Sequence, residues 1–141
     1  MKSADLTLWN DLVGLFSRNS KDPQKKKNSE KIKELRKLVK DKKYDLALKT
    51  GSEYLQTVPE NHDVLFIVGG IYYMKKKYKT AINYFEKALE IGSFDTEVLL
   101  LKANAHYLIG ENKHAIKCCE RIKEIDPKNK AVSDLLEKLN L

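Results

Sequence analysis

The sequence is poor in the residues that break, staple or anchor a chain. Its 141 residues include only 6 Gly, 3 Pro and 2 Cys, too few for a collagen-like, low-complexity or disulfide-framework protein. The cysteines are adjacent, Cys118 and Cys119, so they cannot join distant parts of one chain. No uncharged apolar run approaches the roughly 20 residues that a membrane-spanning helix needs. The first apolar stretch is broken by Asn10 and Asp11, which does not suit a secretory leader. These absences lead us to expect a soluble, cytoplasmic protein with reduced thiols. What is present, 42% hydrophobic and 33% charged residues, suits one globular domain.

Charge is uneven. Lys and Arg outnumber Asp and Glu by 27 to 20, and the whole surplus of +7 lies in residues 21–50, where 12 basic residues stand against 5 acidic ones. Such a run is usually a solvated linker and helix face. The alternative is a surface for acidic partners.

A period of 34 residues runs through the rest of the chain. Ala47, Ala81 and Ala115 keep this step, as do Leu48, Ile82 and Ile116, then Tyr44, Tyr78 and Asn112, then Pro59, Ser93 and Pro127. In the middle unit, Leu65, Val68, Gly69 and Tyr72 form one helical stripe and Tyr78, Ala81, Ile82, Phe85, Ala88 and Leu89 another. The short break at Lys75-Lys76-Lys77 makes the two helices antiparallel neighbours. Small alanines permit close helix crossings. Pro59 and Pro127 end the second helix of their units, and Gly92-Ser93 is expected to supply a left-handed cap in the middle one.

On these residues, above all Leu65, Gly69, Tyr72, Tyr78, Ala81, Phe85 and Ala88, the chain resembles the tetratricopeptide repeat family over residues 28–127. It departs from the family pattern at Lys31, Gly51, His106 and Cys119. The expected fold is all-α, with three helix-turn-helix units at 28–61, 62–95 and 96–129 in a repeat domain spanning 29–141. Residues 130–141, with Val132, Leu135, Leu136 and Leu139 on one face, form a capping helix.

The resemblance implies a right-handed solenoid with a concave groove that binds peptides or helices. Carried over in register, Ile32, Arg36, Val39, Phe66, Ile67, Gly70, Tyr73, Leu100, Leu101, Asn104 and Tyr107 are expected to line it. Most are apolar, so a partner with apolar anchors fits best. The columns that form a carboxylate clamp for chaperone tails in part of the family hold Ile32, Arg36, Ile67, Glu97 and Leu101 here. None of the five matches.

Residues 1–18 lie outside the repeats. Leu8, Trp9, Leu12, Val13 and Phe16 give them the spacing of an amphipathic helix. Residues 19–28, with Pro23 and four lysines, are expected to be a flexible tether. Ten such residues span roughly 16 to 19 Å as a random coil. The helix can dock on its own groove or first repeat, on another copy, or on a different protein or a membrane surface, although Asp5 and Asp11 suit a membrane poorly.

Other signals are weak. His114 and Cys118 lie four apart, but two ligands do not make a zinc site, and Cys119 in the core with Cys118 exposed is the simpler reading. No phosphate loop and no Ser, His and Asp constellation can be placed, so neither enzyme activity nor a cofactor or metal is expected. Lysines beside tyrosines at the turns offer phosphate contact without a stacking platform, which disfavours nucleic acid. The expected activity is that of a non-catalytic adaptor binding an apolar peptide or helix in the groove, which its own N-terminal helix can also occupy. The alternative is electrostatic binding of acidic partners through residues 21–50.

Overall fold

The computed structural model describes residues 23–92 and 95–139, with side chains from residue 30 onward. Every regular element among them is a helix: α1 (Pro23–Lys40), α2 (Tyr44–Thr57), α3 (His62–Met74), α4 (Tyr78–Ile91), α5 (Thr96–Leu108), α6 (Asn112–Ile125) and α7 (Lys130–Lys138). The first six form three successive pairs, and α7 packs on α5 and α6. Residues 23–28, expected in the tether, belong instead to α1. Pro23 sits at the first helical position, where its fixed φ is already helical, and Gln and Lys are good helix formers, so charge alone does not unwind them. The expected N-terminal helix lies outside the described residues.

The repeat extends to individual backbone hydrogen bonds. After α1, α3 and α5, the amides of Lys42, Lys76 and Gly110 donate to the carbonyls of Val39, Tyr73 and Tyr107, and those of Lys43, Lys77 and Glu111 donate to Leu38, Tyr72 and His106. This pair of bonds is a Schellman cap, which needs a left-handed residue. Lys42 (φ 60°), Lys76 (φ 63°) and Gly110 (φ 81°) fill that position, so two units place a lysine where glycine would be relaxed.

The links between units are just as regular. Val58, Gly92 and Asp126 share one conformation of negative φ, at −130°, −128° and −138°, with ψ of 74°, 81° and 85°. Gly92 is therefore not the left-handed cap expected from the sequence. Its lack of a side chain serves space instead, because an added Cβ would stand 3.2 Å from the His62 ring. Three residues later, the side chains of Asn61, Asp95 and Asn129 cap α3, α5 and α7 by accepting from the amides of Val64, Val98 and Val132. The capping helix thus begins as the first helix of a fourth unit would.

Within each pair, bulk is exchanged across the crossing. Gly69 on α3 faces Phe85 on α4, and a Cβ at Gly69 would lie 2.7 Å from Cε1 of that ring. One unit earlier the sizes are reversed, with Leu35 on α1 and Gly51 on α2; a Cβ at Gly51 would meet Leu35 Cδ2 at 3.7 Å and Val68 Cγ2 at 2.7 Å. Ala103 and Cys119 fill the same two columns in the third unit, both fully buried. Gly51 is therefore a compensated departure from the family pattern. It also lets α3 close onto α2.

Two measurements check this account. Gly69→Ala should destabilise the protein by about 1–3 kcal/mol in urea unfolding, because overpacking against Phe85 outweighs the gain of up to about 1 kcal/mol in helix propensity. Lys76→Gly should instead stabilise it by about 0.5–1 kcal/mol, and Gly110→Lys should lower stability by about 1 kcal/mol, as expected for left-handed backbone.

Candidate functional site

Helix α3 turns one side toward α2 through Val68, which closes on Gly51, and an adjoining side toward α4 through Gly69, which closes on Phe85. At 3.6 residues per turn, the side opposite Val68 carries Phe66, Gly70 and Tyr73. In the same register α1 presents Ile32, Arg36 and Val39, and α5 presents Leu100, Asn104 and Tyr107. These three rows share one face of the first helices.

Ile67 and Leu101, expected beside them, are fully buried at the edge of this face. One step along a helix turns the side chain by about 100°, which moves Ile67 to the side of Val64 and Ile71. Leu101 packs in the core of the first two units, and its counterpart Leu135 on α7 is buried against α5 and α6.

The remaining face is closed to solvent over two of its three units. Ile32, Val39, Phe66, Gly70, Tyr73 and Leu100 are all buried, whereas Arg36, Asn104 and Tyr107 are half-buried. Phe66 lies 6.1 Å from Phe85, centroid to centroid, and Tyr73 meets Tyr78 edge-on at 5.4 Å. Arg36 brings charge into this apolar setting. Burial lowers its pKa, opposed by the charge of Asp63, and its Nη1 is shielded from solvent with no hydrogen-bond acceptor.

A polar latch closes one end. His62, at the start of α3, has Nδ1 3.3 Å from Asp63 Oδ1 and Nε2 3.0 Å from Asp95 Oδ2. The pairing with Asp63, then that with Asp95, raises the His62 pKa to about 9 against the opposing effect of burial. Burial pushes the Asp95 carboxyl up, but His62, Glu97 and the Val98 amide hold it lower overall. Glu97, sharing a hydrogen bond with Asp95 and partly buried, is raised. His62 looked unremarkable in sequence. The signal that could have found the latch was the Asn61, Asp95 and Asn129 column, since a histidine beside one cap lies near the next unit's cap.

The other sequence candidates fall elsewhere. His106 is buried, with Nδ1 2.9 Å from Glu111 Oε1 and its ring stacked on His114 at 5.0 Å. Cys118 is buried together with Cys119, not exposed as expected. Desolvation raises both thiols, Cys119 to about 11, which makes poor nucleophiles. Among the described residues no group of three His, Cys, Asp or Glu could hold a metal ion, and no helix is long and apolar enough to cross a membrane. Lys42, Lys43, Lys76 and Lys77 are exposed at the turns, while Lys75 pairs with Asp45 and ties neighbouring turns together.

The sequence model of the family described as "Tetratricopeptide repeat" matches residues 72–139. The match spans just under half of the chain, and the paired helices agree with it. Among solved structures, it resembles the first TPR of Spaghetti (RPAP3) bound to the HSP90 peptide SRMEEVD, with a TM-score of 0.73 at 22% identity over 77% of this chain and 86% of that one. The NMR structure of the first TPR domain of human RPAP3 matches with a TM-score of 0.71 at 22% identity, covering 77% and 85%. No curated protein matches. The first helices offer ring area, aliphatic area and the shielded Nη1 of Arg36.

The latch makes stability depend on pH. The folded-state pKa of His62 stands above its ordinary 6.5, so its contribution is complete below about pH 6.5 and is lost as pH rises through about 9. The urea midpoint should fall over that interval, and His62→Gln should flatten the fall. An unchanged slope in the variant would assign it to another group.

Proposed function

We propose that this chain is a non-catalytic adaptor whose concave face takes an apolar, helix-forming segment of a protein partner. One observation carries the reading: a face of large apolar side chains, Phe66, Tyr73, Leu100 and Tyr107, also carries Arg36, whose Nη1 is shielded and has no acceptor. A segment that buries apolar anchors here and offers Arg36 a carbonyl or carboxylate would satisfy both features. The RPAP3 domain binds the acidic peptide SRMEEVD. Of the cations on the face described here, His62 is held by Asp63 and Asp95 and leaves Arg36, which favours a partner bound chiefly by apolar contact.

A second reading rests on the turns. Lys42 and Lys76 keep a basic side chain at left-handed positions where glycine would relax the backbone, which favours a role for that edge in attracting acidic partners.

The two readings separate on a partner captured and identified with the full chain. Arg36→Glu combined with Tyr107→Glu alters two half-buried positions that the fold should tolerate. On the groove reading this variant loses affinity at least tenfold, while neutralising Lys42, Lys43, Lys76 and Lys77 changes little and added salt weakens binding only slightly. The SRMEEVD peptide should bind far more weakly than the partner. The opposite pattern, in which only the lysine variant and salt abolish binding, would overturn the groove reading and support the second.

A further inference from the structure

The concave face is buried where no described helix covers it. The helices packed on α3 are α1, α2, α4 and α5; α2 and α4 lie behind it, and α1 and α5 flank it in the same layer. Yet Val64–Ile71 is buried without interruption, and so is Tyr73. Eight consecutive residues pass more than two turns and point in every direction. The burial is local. It includes Ile32, Val39 and Leu100, weakens to half at Asn104 and Tyr107, and ends at α7, where Asp134 and Lys138 continue the same rows exposed. Whatever covers the face lies over α1 and α3, on the side where the chain enters the solenoid.

We propose that the cover is residues 4–18 of the same chain, docked in cis as an amphipathic helix through Leu8, Trp9, Leu12, Val13 and Phe16. Three observations select this occupant. The segment has five large apolar residues at helical spacing and no place in the repeats. As a helix it would be about 22 Å long, against about 20 Å for the 13 residues of α3. Only the stretch between Arg18 and Pro23 separates it from α1. Fully extended, that stretch reaches about 17 Å, enough to turn back across the 8–10 Å that separates packed helices. The proposal rests on the groove reading above and adds its regulation: the segment competes intramolecularly with a partner of the same chemistry, so a partner must displace it.

Trp9 is the only tryptophan and reports on the segment in the full chain. Its emission should be blue-shifted, protected from acrylamide and unchanged by dilution. Leu12→Asp should move it to a water-like maximum without altering the helical circular dichroism of the repeats. Partner affinity should then rise about 10–100-fold, as for a face covered 90–99% of the time. A water-like spectrum in the unaltered protein at every concentration overturns the proposal, because the segment is then free. A blue shift that disappears on dilution also overturns it, since the segment then docks on a second copy. If Trp9 is free while the Arg36 and Tyr107 double variant still abolishes partner binding, cis docking fails and the groove reading stands. If Trp9 is docked in cis but Leu12→Asp leaves partner affinity unchanged, the competition is overturned.

Discussion

The structure depends on how closely the two helices of each unit approach one another. In the middle unit the α3 backbone at Gly69 is so near the Phe85 ring that a methyl group has no room. Closeness of this kind fixes the geometry of the pair, and the 34-residue repetition of caps and links then fixes the geometry between pairs. Because interiors are packed like crystals, a glycine must be answered by bulk on the facing helix. Phe85 answers Gly69, and Leu35 answers Gly51. The solenoid is the sum of such local agreements.

Much of the architecture could be read from the residues. The alanine column at 47, 81 and 115 and the aromatic positions at 72, 78 and 85 placed the helices in pairs, and all three pairs formed there. Gly51 was harder, because a single column shows a lost phenylalanine while the compensation lies sixteen residues away at Leu35. Gly92 invited a left-handed reading, yet Val58 and Asp126 adopt the same negative-φ backbone without being glycine. The left-handed positions went to Lys42 and Lys76, residues whose side chains carry no signal for that conformation. The start of α1 was also misread, since a lysine-rich stretch looks the same in sequence whether coiled or helical.

The site was only partly legible. Register placed Phe66, Tyr73, Leu100 and Tyr107 on one face, with Ile67 and Leu101 fully buried one step to its side. Burial was invisible in sequence, because an apolar residue on a concave face reads the same whether the face is open or covered. The His62 latch was missed for a related reason. Its partner Asp95 is 33 residues away and becomes a neighbour only once two units stack.

The account comes to rest on one physical demand, that apolar area as large as Phe66, Tyr73 and Leu100 must be kept from water. On the docking proposed above, the N-terminal segment would meet that demand and an incoming partner of similar chemistry would take it over. Nuclear Overhauser contacts between the Trp9 indole and the rings of Phe66 and Tyr73, recorded on the dilute full chain, test this most directly. The account predicts them, and predicts that they vanish when a partner is bound. A Trp9 indole with random-coil shifts and no contact to either ring would contradict it.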